Sequence, residues 1–257
     1  ITNHKNLKNI IGEVNPDIII NATALNNVDY CEEHKDETDE VNVKAVLKLS
    51  EISNSLNSKF IHLSTDSVFD GTKKEPYNEL DNTNPINNYG RSKLCGENEV
   101  LKFKNNLVVR ASVLYGWLPK SLSSKKTSSL KQINFAQWLI SKLKLKEKVN
   151  ITSEEFSSPI ISDDFAKSIL HLTLNKKSGI FHSAPSLCIN RYDFSIQLAN
   201  YLNLDPSLII PTTTEKLGRG VTTAKNKCLN STKLINTDFR FLTLNESFEL
   251  IKQQMLI

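Results

Sequence analysis

Tyr89 and Lys93 stand four residues apart in the stretch "NNYGRSKLCGENEVL", residues 87–101. On a helix that spacing sets two side chains on one face, a single turn apart. A phenol titrates at about 10, too high for easy proton exchange at neutral pH, and a neighbouring ammonium favours the phenolate. Such a pair can therefore serve as general acid or base near working pH. Six tyrosines in a lysine-rich chain yield about half of one such spacing by chance, so a surface Tyr–Lys contact is the bland alternative. Context argues against it. Upstream, "KFIHLSTDSVFDG" (59–71) carries an apolar run into Ser64, Thr65 and Asp66. A hydroxyl from Thr65 or Ser64 brought near the phenol can steady a carbonyl oxygen as it gains negative charge. This constellation suits hydride transfer to or from a carbon bearing oxygen, and no side chain supplies a hydride, so a cofactor must.

The elements that position these groups follow from pattern. "PDIIINATA" (16–24), 59–71, "NLVVRASVLYG" (106–116) and "GIFHSA" (179–184) are branched apolar runs that end in small or polar residues, the signature of buried strands. Between the first strands lie helical patterns. Residues 36–56 align Val43, Val46, Leu47, Leu49, Ile52 and Leu56 along one side. Residues 87–101 follow an Asn-Pro signal, although two glycines weaken that helix. Further helices are predicted at 133–143, at 162–174 with Ser162 as N-cap, at 190–202 and at 245–255. Alternating strands and helices predict an α/β, Rossmann-type doubly wound parallel sheet. Ligands then lie beyond the carboxyl ends of the strands, which brings "NATA", "STD" and "SVLYG" to one crevice. The expected division is a dinucleotide-binding core over 1–118, a flexible Ser/Lys-rich loop over 119–132, and the rest of the sheet plus a smaller substrate-binding lobe over 133–257.

Composition narrows the class. With 257 residues, 39% apolar and 23% charged, the chain can bury a large core. No apolar run nears the roughly 20 residues of a membrane span, so no membrane partner is expected. The net charge of +4 is spread among acids, which argues against nucleic acid. Cys31, Cys95, Cys188 and Cys228 are scattered without a CxxC pair, an arrangement that argues against zinc and disulfides and suits a reducing cytosol. Asp29, Glu32 and Glu33 read as a solvated acidic turn, not a metal site. His62 and His182 read as core residues of their strands.

Taken together, "INATALNNVDYCEE", "HLSTDSVFDG", "EPYNELDNTNPINNYGRSKLCGE", "VVRASVLYG" and "SGIFHSA" resemble the extended short-chain dehydrogenase/reductase superfamily. Within it their order is most similar to that of the dTDP-4-dehydrorhamnose reductases. The resemblance implies NADPH- or NADH-dependent reduction of the 4-keto group of a nucleotide-linked 6-deoxyhexose. Carried over by position, it makes Thr65 the hydroxyl, Tyr89 the proton donor, and Lys93 the ammonium that lowers the tyrosine's pKa and holds the nicotinamide ribose. Ala22, Thr23 and Ala24 match the turn along the cofactor, and Asn42 a helix residue near it. Asp66 and Val113 fall beside the substrate sugar.

Three departures accompany the resemblance. The glycine-rich dinucleotide loop has no counterpart in the chain, so the resemblance leads us to expect about one βαβ unit ahead of Ile1. A longer protein is expected, because a sheet without its first strands leaves an apolar edge open. Val113 replaces a tryptophan common in such reductases. Thr223-Ala224 replaces an Arg-Pro, with Lys225 or Lys227 offering the charge without the bidentate fork of arginine. The competing readings are a non-catalytic regulatory subunit resembling the methionine adenosyltransferase β subunit, and another nucleotide-sugar reductase or epimerase. A homodimer is left open.

Overall fold

Each apolar run closed by polar residues becomes a strand, and each amphipathic stretch a helix that covers it. The structure is a computed structural model and describes residues 1–118, 134–218 and 220–256. It begins with α1 (His4–Val14), β1 (Ile18–Asn21) and the short helices α2 (Val28–Glu33) and α3 (Lys35–Asp39). A π-helical turn at Glu40–Lys44 leads without a break into α4 (Ala45–Ser55). Then come β2 (Lys59–Thr65), α5 (Asn88–Leu101), β3 (Leu107–Ala111) and β4 (Leu114–Tyr115). Further along lie α6 (Phe135–Lys144), β5 (Val149–Thr152), β6 (Phe156–Ser157), β7 (Ile160–Ile161), α7 (Ser162–Leu174) and β8 (Gly179–Ser183). The chain continues through β9 (Ile189–Asn190), α8 (Arg191–Tyr201), β10 (Ile209–Thr212), α9 (Thr232–Ile235) and α10 (Leu244–Gln254).

The main sheet is parallel throughout, in the order β1-β2-β3-β8. Thr65 pairs with Ala111 and Ala111 with Ser183, so the carboxyl ends of these strands finish level along one edge of the sheet. Neighbouring residues of each strand face opposite ways. Phe60 and Val108 join Val46, Leu49, Ile52 and Val100 under α4 and α5, while Ile61, Val109 and Phe181 meet Phe165, Ile169 and Leu172 of α7. Both faces are covered, which is why the strands read as unbroken apolar runs. Another cluster joins α6, α8 and α10 through Leu139, Leu143, Phe194, Leu198, Phe248 and Ile251. There β5 pairs with β10 in parallel, and β6 with β9 antiparallel.

Several expectations are corrected. The run 106–116 breaks after Ala111, and Leu114–Tyr115 pairs instead with Ile160–Ile161. The N-cap of α7 is Ile161, with Ser162 already in the first turn. The expected loop 119–132 lies outside the described residues. Cys188 and Cys228 form a disulfide between Cα atoms 5.4 Å apart. The fold closes that gap across 40 residues of sequence, a distance that local spacing cannot reveal, so the cysteines no longer favour a reducing compartment. Among the described residues no helix is long and apolar enough to cross a membrane.

Candidate active site

At its carboxyl end β2 passes into a 3-10 turn, Asp66–Val68, capped by Thr65. The Thr65 hydroxyl accepts from the Ser67 amide at 3.1 Å and lies 3.2 Å from Asp66 Oδ1, to which it donates. The Tyr89 phenol lies near enough for Thr65 to draw its pKa down. Tyr89 sits in the first turn of α5, which starts cleanly because the Asn87 side chain accepts from the Gly90 amide at 2.9 Å. The two glycines that weaken this helix allow its docking. A Cβ on Gly90 would lie 2.1 Å from the Ser67 carbonyl oxygen, and one on Gly96 would lie 2.5 Å from that of Asn42. Backbone thus packs against backbone on both sides of Lys93. Gly90→Ala is expected to cost about 1–3 kcal/mol by overpacking and to lower turnover at least roughly tenfold, since small misplacements at a reacting centre cost rate steeply. Thermal melts and rates check this; wild-type values for both would show that the helix has room to spare.

Lys93 is buried, 2% exposed. Its Nζ donates to the Leu63 carbonyl at 2.7 Å and lies 3.0 Å from His62 Nε2. Burial lowers its pKa to about 8, against the opposing pull of Glu97. Burial pushes the Tyr89 phenol in the other direction, above its ordinary value, with Thr65 opposing and Asp66 and Cys31 adding to the rise. The expectation that Lys93 lowers the Tyr89 pKa is therefore corrected. The amine is engaged with β2, and burial governs the phenol.

Asn42 occupies the π-helical turn and is fully buried. Its Oδ1 accepts from the Leu25 amide at 2.9 Å, while Nδ2 donates to the Leu25 carbonyl at 2.9 Å and to Ser92 Oγ at 3.0 Å. Both amide hydrogens are spent on protein. Asn42 thus fastens the segment after β1 to α5, and the expectation that it binds cofactor is corrected to a positioning role. Ala22, Thr23 and Ala24 form that segment, partly exposed at the crevice, with the Thr23 amide donating to Asn21 Oδ1 at 3.1 Å. Asp66 accepts from Ser112 Oγ at 2.8 Å and lies 3.7 Å from Lys227 Nζ. Of the two lysines offered for the missing arginine, Lys227 faces the site and Lys225 is exposed. Val113 lines a small cleft with Tyr115, Phe135, Asn190 and Phe194.

Sequence reasoning missed the buried network behind these groups. Arg110 donates twice to Glu97, at 2.9 and 2.6 Å, and Ser64 donates to Glu97 as well. Arg110 stands in the apolar run "VVRAS", and a charge there is a legible sign of a buried partner. His182 does behave as a core residue: burial first, then Arg110, lowers its pKa to about 3. A cavity of about 440 Å³, lined by Tyr115, Ile160, Asp164, Phe239 and Phe241 among others, shares no lining residue with Thr65, Tyr89 or Lys93. Its walls are mostly apolar.

This arrangement can be set beside known proteins. A probable low-salt glycan biosynthesis reductase, Agl14, of Haloferax volcanii is 31% identical over 231 residues, which span 90% of this chain and 74% of that protein. The methionine adenosyltransferase 2 subunit beta of Danio rerio is 29% identical, over 89% of this chain and 69% of its own. Among solved structures, dTDP-4-dehydrorhamnose reductase of Bacillus anthracis in complex with NADP superposes with a TM-score of 0.88 at 26% identity, covering 98% of this chain and 86% of that one. The pattern of the RmlD substrate binding domain family matches residues 1–254. By that match, which runs almost the length of the chain, this protein belongs to the RmlD substrate binding domain family.

Proposed function

We propose that the protein reduces the 4-keto group of a nucleotide-linked 6-deoxyhexose, of the dTDP-4-dehydrorhamnose type, with NADPH or NADH as reductant. The observation that carries this reading is the meeting of the Thr65 hydroxyl and the Tyr89 phenol at the carboxyl edge of the sheet, one helical turn from a buried Lys93. Small side chains at Ala22 and Ala24 leave the backbone after β1 approachable, which fits a flat nicotinamide–ribose moiety lying there beside Lys93. When bound, that cofactor supplies the hydride.

The chain's own groups do the remainder. Tyr89 donates to the ketone oxygen, and Thr65 joins it by turning its hydrogen away from Asp66 Oδ1, so that two hydroxyls meet the charge that develops there. Because burial keeps the phenol protonated, Tyr89 is loaded to give its proton to the new alkoxide. The carbonyl carbon gains a hydride, its oxygen gains the proton, and the product is a secondary alcohol. Lys227, beside Asp66, gives the substrate crevice a cation for an anionic substrate. The likeness to a methionine adenosyltransferase β subunit supports a second reading, a regulatory subunit that keeps the pocket without turnover. Mixing the full protein with NADPH and dTDP-4-keto-6-deoxyhexose separates the two. The reductase reading requires loss of NADPH absorbance matched one-for-one by alcohol. A protein that leaves NADPH unoxidised but captures a partner enzyme in fixed stoichiometry would overturn it.

A further inference from the structure

His62 is a buried titratable group that the proposed reaction leaves unused. Its ring lies between two nitrogens, Asn21 Nδ2 at 3.1 Å from Nδ1 and Lys93 Nζ at 3.0 Å from Nε2. The Asn21 amide is oriented by the Thr23 N–H, which donates to Oδ1, so its NH₂ faces the ring. His62 Nδ1 must then accept, and a neutral imidazole so placed carries its proton on Nε2, directed at Lys93. An ammonium has three donors and no acceptor, and it cannot sit against an N–H. An amine can, because its lone pair accepts the Nε2–H while its own N–H donates to the Leu63 carbonyl at 2.7 Å.

We propose that His62 is a positioning residue for Lys93: locked by Asn21 in its Nε2–H tautomer, it holds the Lys93 side chain against β2 as a neutral amine, which takes up a proton only on leaving the ring. The inference rests on Lys93 as the cation that meets the cofactor. Other charges nearby do not undo it. Glu97, on the same helix, favours the ammonium, but it is paired to Arg110 of β3, with His182 of β8 behind that arginine. Asp66 in the turn after β2 and Cys31 of α2 act on Tyr89. Burial lowers the Lys93 pKa, towards the amine, and burial is also the main reason that His62 stays neutral, well below its usual range.

The test begins with the wild-type full protein, with no variant that could misfold. Proton–nitrogen correlation spectra of the His62 ring at pH 8 should show a protonated Nε2 and a bare Nδ1. A protonated Nδ1 would overturn the proposal. The second arm is Asn21→Asp, which keeps an acceptor for the Thr23 amide but presents a carboxylate to Nδ1. The tautomer should then invert, Nε2 should accept from an ammonium, and the midpoint of the pH dependence of NADPH affinity should rise by about one unit, tenfold in proton affinity. An unchanged tautomer and midpoint in the variant would also overturn it. Neither readout needs turnover, so both decide the role of His62 whatever the sugar proves to be.

Discussion

Tyr89→Phe is expected to abolish nearly all reduction of the keto sugar while leaving the protein folded. A positioned general acid contributes about 10²–10⁴-fold in rate, so kcat should fall by roughly that factor. The substitution removes one oxygen from a half-buried side chain. Thr65 keeps both its Ser67 amide donor and its Asp66 acceptor when the phenol is gone, so no buried group is orphaned and stability should change by about 1 kcal/mol or less. NADPH affinity should stay near wild type, because the backbone after β1 and Lys93 are untouched. Stopped-flow NADPH oxidation, a thermal melt and a binding titration together check this. A variant that retains more than a tenth of wild-type turnover would remove Tyr89 from the role of proton donor.

Arg110→Met should have the largest effect on stability. Arg110 and Glu97 are 2% and 1% exposed and meet through two hydrogen bonds. Deleting one member of a buried pair strands the other charge, at a cost of about 3–5 kcal/mol. For a chain of this length each kcal/mol corresponds to about 2–4 °C, so the melting temperature should drop by roughly 10 °C. The double variant Arg110→Met with Glu97→Leu should regain much of that loss, since a well-packed apolar pair of similar volume is often neutral or better. Denaturant unfolding of the two variants side by side checks it. Equal stability of single and double variants would mean that Glu97 finds water or another partner.

Much of the sheet was legible because its signal is local. Branched residues closed by "NATA", "STD" and "HSA" stop where backbone pairing stops, and the order of strands and helices leaves few topologies. Thr65 and Tyr89 could be paired because both lie at element ends that a parallel sheet brings to one edge. What escaped were contacts whose partners lie far apart in the chain. The His62–Lys93 contact spans 31 residues, Arg110 to Glu97 spans 13, and Cys188 meets Cys228 across 40. Periodicity says which face a residue takes, not which atom it meets there. The direction of the Tyr89 pKa was misjudged for the same reason. One-turn spacing suggested an ammonium beside the phenol, whereas β2 offers that amine a carbonyl and an imidazole.

The π-helical turn at Glu40–Lys44 makes chain length, and not only residue identity, a requirement. Deleting a single residue there would return the stretch to α-helical pitch and remove the bulge on which Asn42 stands. Asn42 would leave its socket between Leu25 and Ser92, and the segment after β1 would lose its tether to α5. Exchanges at the exposed Lys44 should pass unnoticed, while one-residue insertions and deletions across 40–44 should be rejected in any selection for activity.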